Sequence, residues 1–197
     1  MAKILSDADL DTIFRQARSH NRWQDQDVSD VQIEVIYDLL RWGPTSANCS
    51  PARFVFCKTQ EAKDKLAACA MEGNQEKIKT ASVVAIIGYD ENFYDKIPEL
   101  FPHNPDARNW FAHDDKVAHE TAFRNSTLQG AYLMMAVRAI GLDCGPMSGF
   151  DVDAVNDAFF KDQAVKVNFI CAIGVGDEAG VHPRLPRLDF DQACSIL

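Results

Sequence analysis

Trp42-Gly43-Pro44-Thr45-Ser46-Ala47-Asn48-Cys49-Ser50-Pro51-Ala52-Arg53-Phe54 joins a helical pattern to an extended one. Upstream, Ile33, Ile36, Tyr37, Leu39 and Leu40 recur at helical spacing up to Trp42. Ser29 to Gln32 has capping-box spacing, with Val28 and Ile33 placed as a hydrophobic staple. Gly43 is expected to close that helix in the left-handed conformation, and Pro44 cannot continue it. Downstream, Phe54-Val55-Phe56-Cys57 reads as a short buried strand. The loop between is small and polar. It suits either a plain helix-to-strand connection or a wall of short donors against a flat polar ligand.

Before this stretch, residues 7–17 predict a short helix capped by Ser6, broken by Arg18-Ser19-His20-Asn21. Beyond it, residues 60–70 and Asn74–Lys79 are helical in pattern. Ser82-Val83-Val84-Ala85-Ile86-Ile87 is apolar on both faces and predicts a central strand covered on two sides. Residues 91–113 are aromatic, proline-bearing and aperiodic, which predicts an ordered excursion or lid. Asp115 to Ile140 predicts one long helix of about 39 Å. Its second half, Ala131–Val137, is apolar all round and belongs in the core or a subunit interface. Gly141 ends it. Gly145-Pro146-Met147-Ser148-Gly149-Phe150 reads as a turn, Asp151 as an N-cap for a helix to about Phe160, and Val167–Ile173 as a third buried strand. The whole is a single helix-rich α+β domain over residues 1–197, with a small sheet and one long central helix.

Of the 197 residues, 47% are hydrophobic and 25% charged, as in ordinary globular proteins. The net charge of −9 argues against nucleic acid or an anionic membrane as the main partner. Met1–Asp7 lacks the apolar core of an export signal, and no run is long enough to span a membrane. Six scattered cysteines without a CxxC predict buried free thiols in a reducing cytoplasm and no metal site. Gly174-Val175-Gly176 does not complete a dinucleotide fingerprint, and no P-loop occurs. Gly145–Gly149 places its serine one position late for a nucleophile elbow. His20, His103, His113, His119 and His182 lack metal-site spacing, and Cys49 has no assignable base.

Five blocks, in order, resemble the nitroreductase family of FMN-dependent oxidoreductases. That family's Pro-Ser-Ser-x-Asn-x-Gln-Pro-Trp loop is matched by Pro44–Ala52, and its Asn-x-x-Lys by Asn74-Gln75-Glu76-Lys77. Its Pro-x-x-Gly-Phe-Asp is matched by Pro146–Asp151. Its basic clusters resemble Arg18–Asn21 and Arg184/Arg187. Longer runs, Arg41–Arg53, Glu120–Ser126, Gly141–Asp151 and Arg184–Arg187, are similar to the branch containing malonic semialdehyde reductase of uracil degradation.

The resemblance implies a homodimer with FMN at the subunit interface, NADH or NADPH as co-substrate, and ping-pong hydride transfer through flavin N5. Arg18, Ser19, Asn21, Arg184 and Arg187 would serve the phosphate end. Asn74 and Lys77 would serve the pyrimidine edge, where Lys77 stabilises the reduced flavin. Pro146, Met147, Ser148 and Gly149 would line the N5 region, with the Gly149 N–H facing N5. Pro44, Thr45, Ser46 and Asn48 would reach the flavin from the other subunit. Ser148 stands where many members have glutamate, Ser50 where they have glutamine, and Ala52-Arg53 where Trp-His is common. Substrate is therefore expected to differ from that of well-known members. Arg53, Arg108 and Arg124 are candidates for a substrate carboxylate, as malonic semialdehyde would need. Broad nitro or quinone reduction is the second expectation, and flavin binding without turnover the third.

Overall fold

Strand β2, Val83–Asp90, is buried along almost its whole length and carries the fold. Its alternate residues face two different cores, as a strand apolar on both faces requires. Val84 and Ile86 point into one cluster with Leu66, Ile78 and Val155; Val83, Ala85 and Ile87 point into another with Ile36, Leu40, Leu133 and Val137. Each buried valine, leucine or isoleucine among them contributes roughly 1.5–3 kcal/mol by leaving water. The computed structural model describes residues 4–197. Of Met1–Asp7, from which no export signal is expected, Met1-Ala2-Lys3 lies outside the described residues.

The sheet has four antiparallel strands: β1 (Ala52–Cys57), β2, β3 (Asp143–Met147) and β4 (Val165–Gly174), in the order β1-β2-β4-β3. On one face pack α3 (Gln60–Ala68), α4 (Glu72–Thr80) and α7 (Val152–Phe159). On the other pack α2 (Asp30–Leu40) and the 25-residue α6 (Asp115–Ala139). The Ser29–Gln32 capping box forms, Ser29 Oγ accepting from the Gln32 N–H at 3.2 Å and Gln32 Oε1 from the Ser29 N–H at 3.0 Å. Val28 and Ile33 join the same cluster, as a staple requires.

Three expectations are corrected. Residues 143–147 are an edge strand, not a turn, so the sheet has a fourth strand; Pro146 is tolerated because an edge position needs no donated N–H. Gly43 is not left-handed, since Gly141 (φ 79°) is the only positive-φ glycine among the described residues. A Cβ on Gly43 would lie 2.7 Å from the Tyr132 ring, so glycine serves close packing there. The first helix is α1 (Asp7–Leu10) continued by one π-helical turn, Asp11–Arg15, and stops two residues early. In α6, Leu133, Ala136 and Val137 are buried in the core, while Ala131 is exposed and Tyr132, Met134 and Met135 are half-buried.

Residues 91–113 form short helical segments, Phe93–Lys96, α5 (Ile97–Leu100) and Pro105–Trp110. Phe93, Ile97, Ala107 and Phe111 are buried against Tyr89, Ala118 and Ala122 in a third small core. That core is why so aromatic a stretch is ordered without periodicity. The tail ends in α8 (Phe190–Ala193), with Leu185, Leu188 and Phe190 exposed. Among the described residues no helix is long and apolar enough to cross a membrane.

Cys49 and Cys57 are buried, and burial pushes both thiols up from an ordinary 9.0 to about 11. Below pH 9 both thiols are protonated in folded and unfolded chains alike. Between pH 9 and 11 only the unfolded chain releases these protons, so stability falls as pH rises. The loss is about 2–3 kcal/mol per thiol by pH 11. Urea midpoints at pH 8 and 10.5 check this: Cys57→Ala should start lower and lose less on the alkaline step. An equal alkaline loss in that variant would overturn the assignment.

Candidate functional site

The segment after α1 is laid along the free edge of β3. Ser19 bridges Cys144 in parallel, the His20 N–H donates to the Cys144 carbonyl at 3.1 Å, and Trp23 bridges Gly176. Trp23 Nε1 also donates to the Lys77 carbonyl at 3.2 Å, pinning the segment to α4. His20 is buried, its Nδ1 3.4 Å from Asp143 Oδ1. In consequence Asn21 meets Lys77, whose Nζ donates to Asn21 Oδ1 at 3.2 Å.

Lys77 is only 7% exposed and has no carboxylate partner among the described residues. Burial pushes its ammonium below the ordinary 10.5. It lies against Gly145, where a Cβ would stand 2.6 Å from Nζ and 2.3 Å from the His20 carbonyl oxygen. One turn earlier on α4, Asn74 Nδ2 donates to the Gly149 carbonyl at 2.9 Å, and the Met71 N–H donates to the same oxygen at 3.0 Å. A Cβ on Gly149 would meet Asn74 Nδ2 at 2.6 Å. With its carbonyl doubly engaged, Gly149 keeps its N–H without an acceptor among the described residues. Asn74 and Lys77, three apart on α4, thus deliver an amide and a cation to two glycines on the β3 side. Ser148 is exposed beside them, while Met147 is buried in the core.

A cavity of about 530 Å³ continues from Asn21 and Ser19. Arg18, Arg184, Arg187 and Arg138 line it, and among the described residues no carboxylate does. In a chain of net charge −9 this is a local cationic pocket, matched to a phosphate. Arg18 donates to the His182 carbonyl and Arg184 to the Ala17 carbonyl at 3.3 Å, so the edge segment and the tail hold each other. Arg187 donates to its own Leu185 and Pro186 carbonyls at 3.1 and 3.0 Å.

The loop Pro44–Ser50 stands elsewhere. It contains three non-glycine residues at positive φ: Ala47 (48°), Asn48 (50°) and Ser50 (38°). Such strain persists only where surroundings hold it. The Ser46 N–H donates to Asn125 Oδ1 at 2.8 Å, Asn48 Nδ2 to the Leu100 carbonyl at 2.8 Å, and the Ser50 N–H to Thr45 Oγ1 at 3.1 Å. The loop enters β1 at Ala52, opposite Tyr89, whereas Gly145 lies level with Ala172 and Val84. Five residues of β2 separate those levels, about 16 Å at ~3.3 Å per residue. The two groups also lie on opposite edges of the sheet. Within one chain they occupy opposite corners.

The Nitroreductase family model matches residues 14–177. The chain belongs to the nitroreductase family. A relative from Polynucleobacter asymbioticus is 56% identical over 197 residues, covering all of both chains. HadB of Ralstonia pickettii is 56% identical over 189 residues, covering 95% of this chain and 96% of its own. Both carry the provisional name NADH dehydrogenase/NAD(P)H nitroreductase. Among solved structures, ydfN of Bacillus subtilis superposes with a TM-score of 0.88 at 20% identity, covering 98% of this chain and 100% of its own. A protein of Exiguobacterium sibiricum, solved in complex with FMN, gives 0.87 at 21% identity, covering 100% of both.

In this nitroreductase the three arginines singled out for a substrate carboxylate differ in availability. Arg53 is paired with Asp90 at 2.6 Å, and Arg108 with Asp95 at 2.7 Å while lying over the Tyr94 ring. Arg124 is exposed beside Phe123 and Leu128, with no ion pair among the described residues. Arg138 and Asn125 were not singled out from sequence. A lone arginine in a helix's last turn complements the helix dipole routinely, so its pattern carries no site signal. Asn125 sits inside an amphipathic run and reads as one polar position among many.

Proposed function

We propose that this nitroreductase is an FMN-dependent NAD(P)H oxidoreductase whose oxidant is malonic semialdehyde, reduced to 3-hydroxypropionate. The residues fit that cofactor: an anion-matched arginine cavity leads to a buried lysine, an amide and an unengaged glycine N–H. Bound FMN would supply hydride exchange at its N5, with NAD(P)H and the oxidant using one pocket in turn. The net reaction consumes one aldehyde, one NAD(P)H and one proton, giving one alcohol and NAD(P)⁺.

Arg18, Ser19, Asn21, Arg184 and Arg187 would hold the phosphate end. Lys77 and Asn74 would hold the pyrimidine edge, where the Lys77 charge favours the reduced ring. Gly149, lacking a Cβ, lets a planar ring approach its N–H. Pro44, Thr45, Ser46 and Asn48 would close the pocket of a second copy, because they stand at the far corner of their own chain. The active form in this reading is a homodimer with FMN at its interface. Residues 91–113, tied to Asn48 through Leu100, would be its lid. Six free thiols suit a reducing cytoplasm.

The observation that carries the substrate is Arg124, an uncommitted cation one residue from the Asn125 that holds Ser46. The relatives' name, NAD(P)H nitroreductase, favours nitro reduction within the second reading, broad nitroarene or quinone reduction. Anaerobic reduction by each nicotinamide, followed by reoxidation, separates these. Rapid reoxidation by the aldehyde, with an aldehyde KM raised about tenfold in Arg124→Gln and the nicotinamide KM unchanged, is the expected result. Reoxidation by a nitroarene or quinone alone would overturn the substrate. Bound flavin that neither nicotinamide bleaches would overturn the enzyme.

A further inference from the structure

We infer that Arg138, on the last turn of the long helix α6, is a fourth cation for the cofactor phosphate. This deepens the cofactor reading above and rests on it. Arg138 shares the cavity with Arg18, Arg184 and Arg187. Those three belong to an edge segment and an exposed tail, whereas Arg138 stands on the most extended rigid element of the molecule. Groups on such elements hold a site more closely than groups on loops do.

The Arg138 guanidinium lies near the buried Cys144 thiol and has no carboxylate partner among the described residues. Nη1 donates to the Ile13 carbonyl at 3.1 Å, one of the carbonyls left over where the π-helical turn ends. Nε is buried with no acceptor among the described residues. The nearby acids Asp7 and Asp11 are both taken by Arg15, at 2.9 and 2.6 Å. A buried guanidinium N–H without an acceptor is costly, and an anion in this cavity supplies charge to complement it. The contact to Ile13 also fixes the π-helical turn that follows α1, beyond which Ala17 and Arg18 enter the same cavity. Arg138 therefore both meets the phosphate and sets the segment bearing Arg18.

The competing role is a helix C-terminal cation that only braces α1. Flavins with and without phosphate separate the two. The full chain, Arg138→Met and Arg138→Lys are titrated with FMN and with riboflavin, following quenching of flavin fluorescence. Arg138→Met should weaken FMN roughly 10- to 100-fold and leave riboflavin nearly unchanged, with Arg138→Lys in between. If the methionine variant does not fold, the lysine variant carries the comparison. Equal losses for both flavins, or none for either, would overturn the role of Arg138 and leave the cofactor reading standing. An unaltered protein that binds neither flavin would overturn both.

Discussion

Replacing Lys77 by methionine is expected to slow reduction of bound flavin by NAD(P)H about 100- to 1,000-fold. That is the usual scale for removing one preorganised group that stabilises developing negative charge in a site screened from water. The ammonium is buried, held by Asn21 Oδ1 at 3.2 Å, and neutralised by no carboxylate among the described residues, so its field is directed and little screened. Methionine is unbranched, shorter than lysine by only the terminal nitrogen, and removes a buried charge, so the fold should persist. A second signature follows from the depressed ammonium. As pH rises through a value below 10.5, Lys77 loses its charge and flavin reduction should slow with it. Stopped-flow reduction across pH 7–10.5 checks both: the variant should be slow throughout and lack the alkaline fall. A variant that reduces its flavin at the normal rate would show that the charge is structural.

Gly145→Ala should be strongly destabilising for a single added methyl group. Its Cβ would fall 2.3 Å from the His20 carbonyl oxygen and 2.4 Å from Lys77 Cε. The first of these is backbone and cannot swing aside. The edge segment would have to leave β3, breaking the bond from the His20 N–H to the Cys144 carbonyl and separating Asn21 from Lys77. A cost of about 3 kcal/mol, hence a Tm lower by roughly 6–12 °C, is expected together with loss of retained flavin. Gly73→Ala is the control, because nothing lies within 4 Å of its Cβ. That change should be neutral or stabilise by about 0.5–1 kcal/mol. A Gly145→Ala protein with unaltered Tm and flavin content would mean that the edge segment is not held as described.

Most of the architecture was legible because it depends on local pattern. A strand apolar on both faces must be covered on both, and Ser82–Ile87 was read so. Asp115–Ile140 carries no break strong enough to end a helix, and the capping box at Ser29–Gln32 is a matter of spacing alone. Order in residues 91–113 followed from their aromatic content. What misled was Gly145–Gly149. Gly-Pro reads as a turn, yet an edge strand accepts proline, and edge status depends on which strands pair. Gly43 misled for a similar reason, since the Tyr132 ring that requires a glycine comes from another helix.

The sequence by itself determined the order of the blocks and the family to which they belong. Only the tertiary structure decided how they are divided. Asn74, Lys77 and Gly149 gather at the β3 corner, and the Pro44–Ser50 loop stands at the opposite one, because strand order sets which segments become neighbours. The same holds for charge. Arg53, Arg108, Arg124 and Arg138 are indistinguishable as letters. Packing gives the first two to Asp90 and Asp95, leaves Arg124 at the surface, and brings Arg138 into a cavity with three arginines from the two ends of the chain.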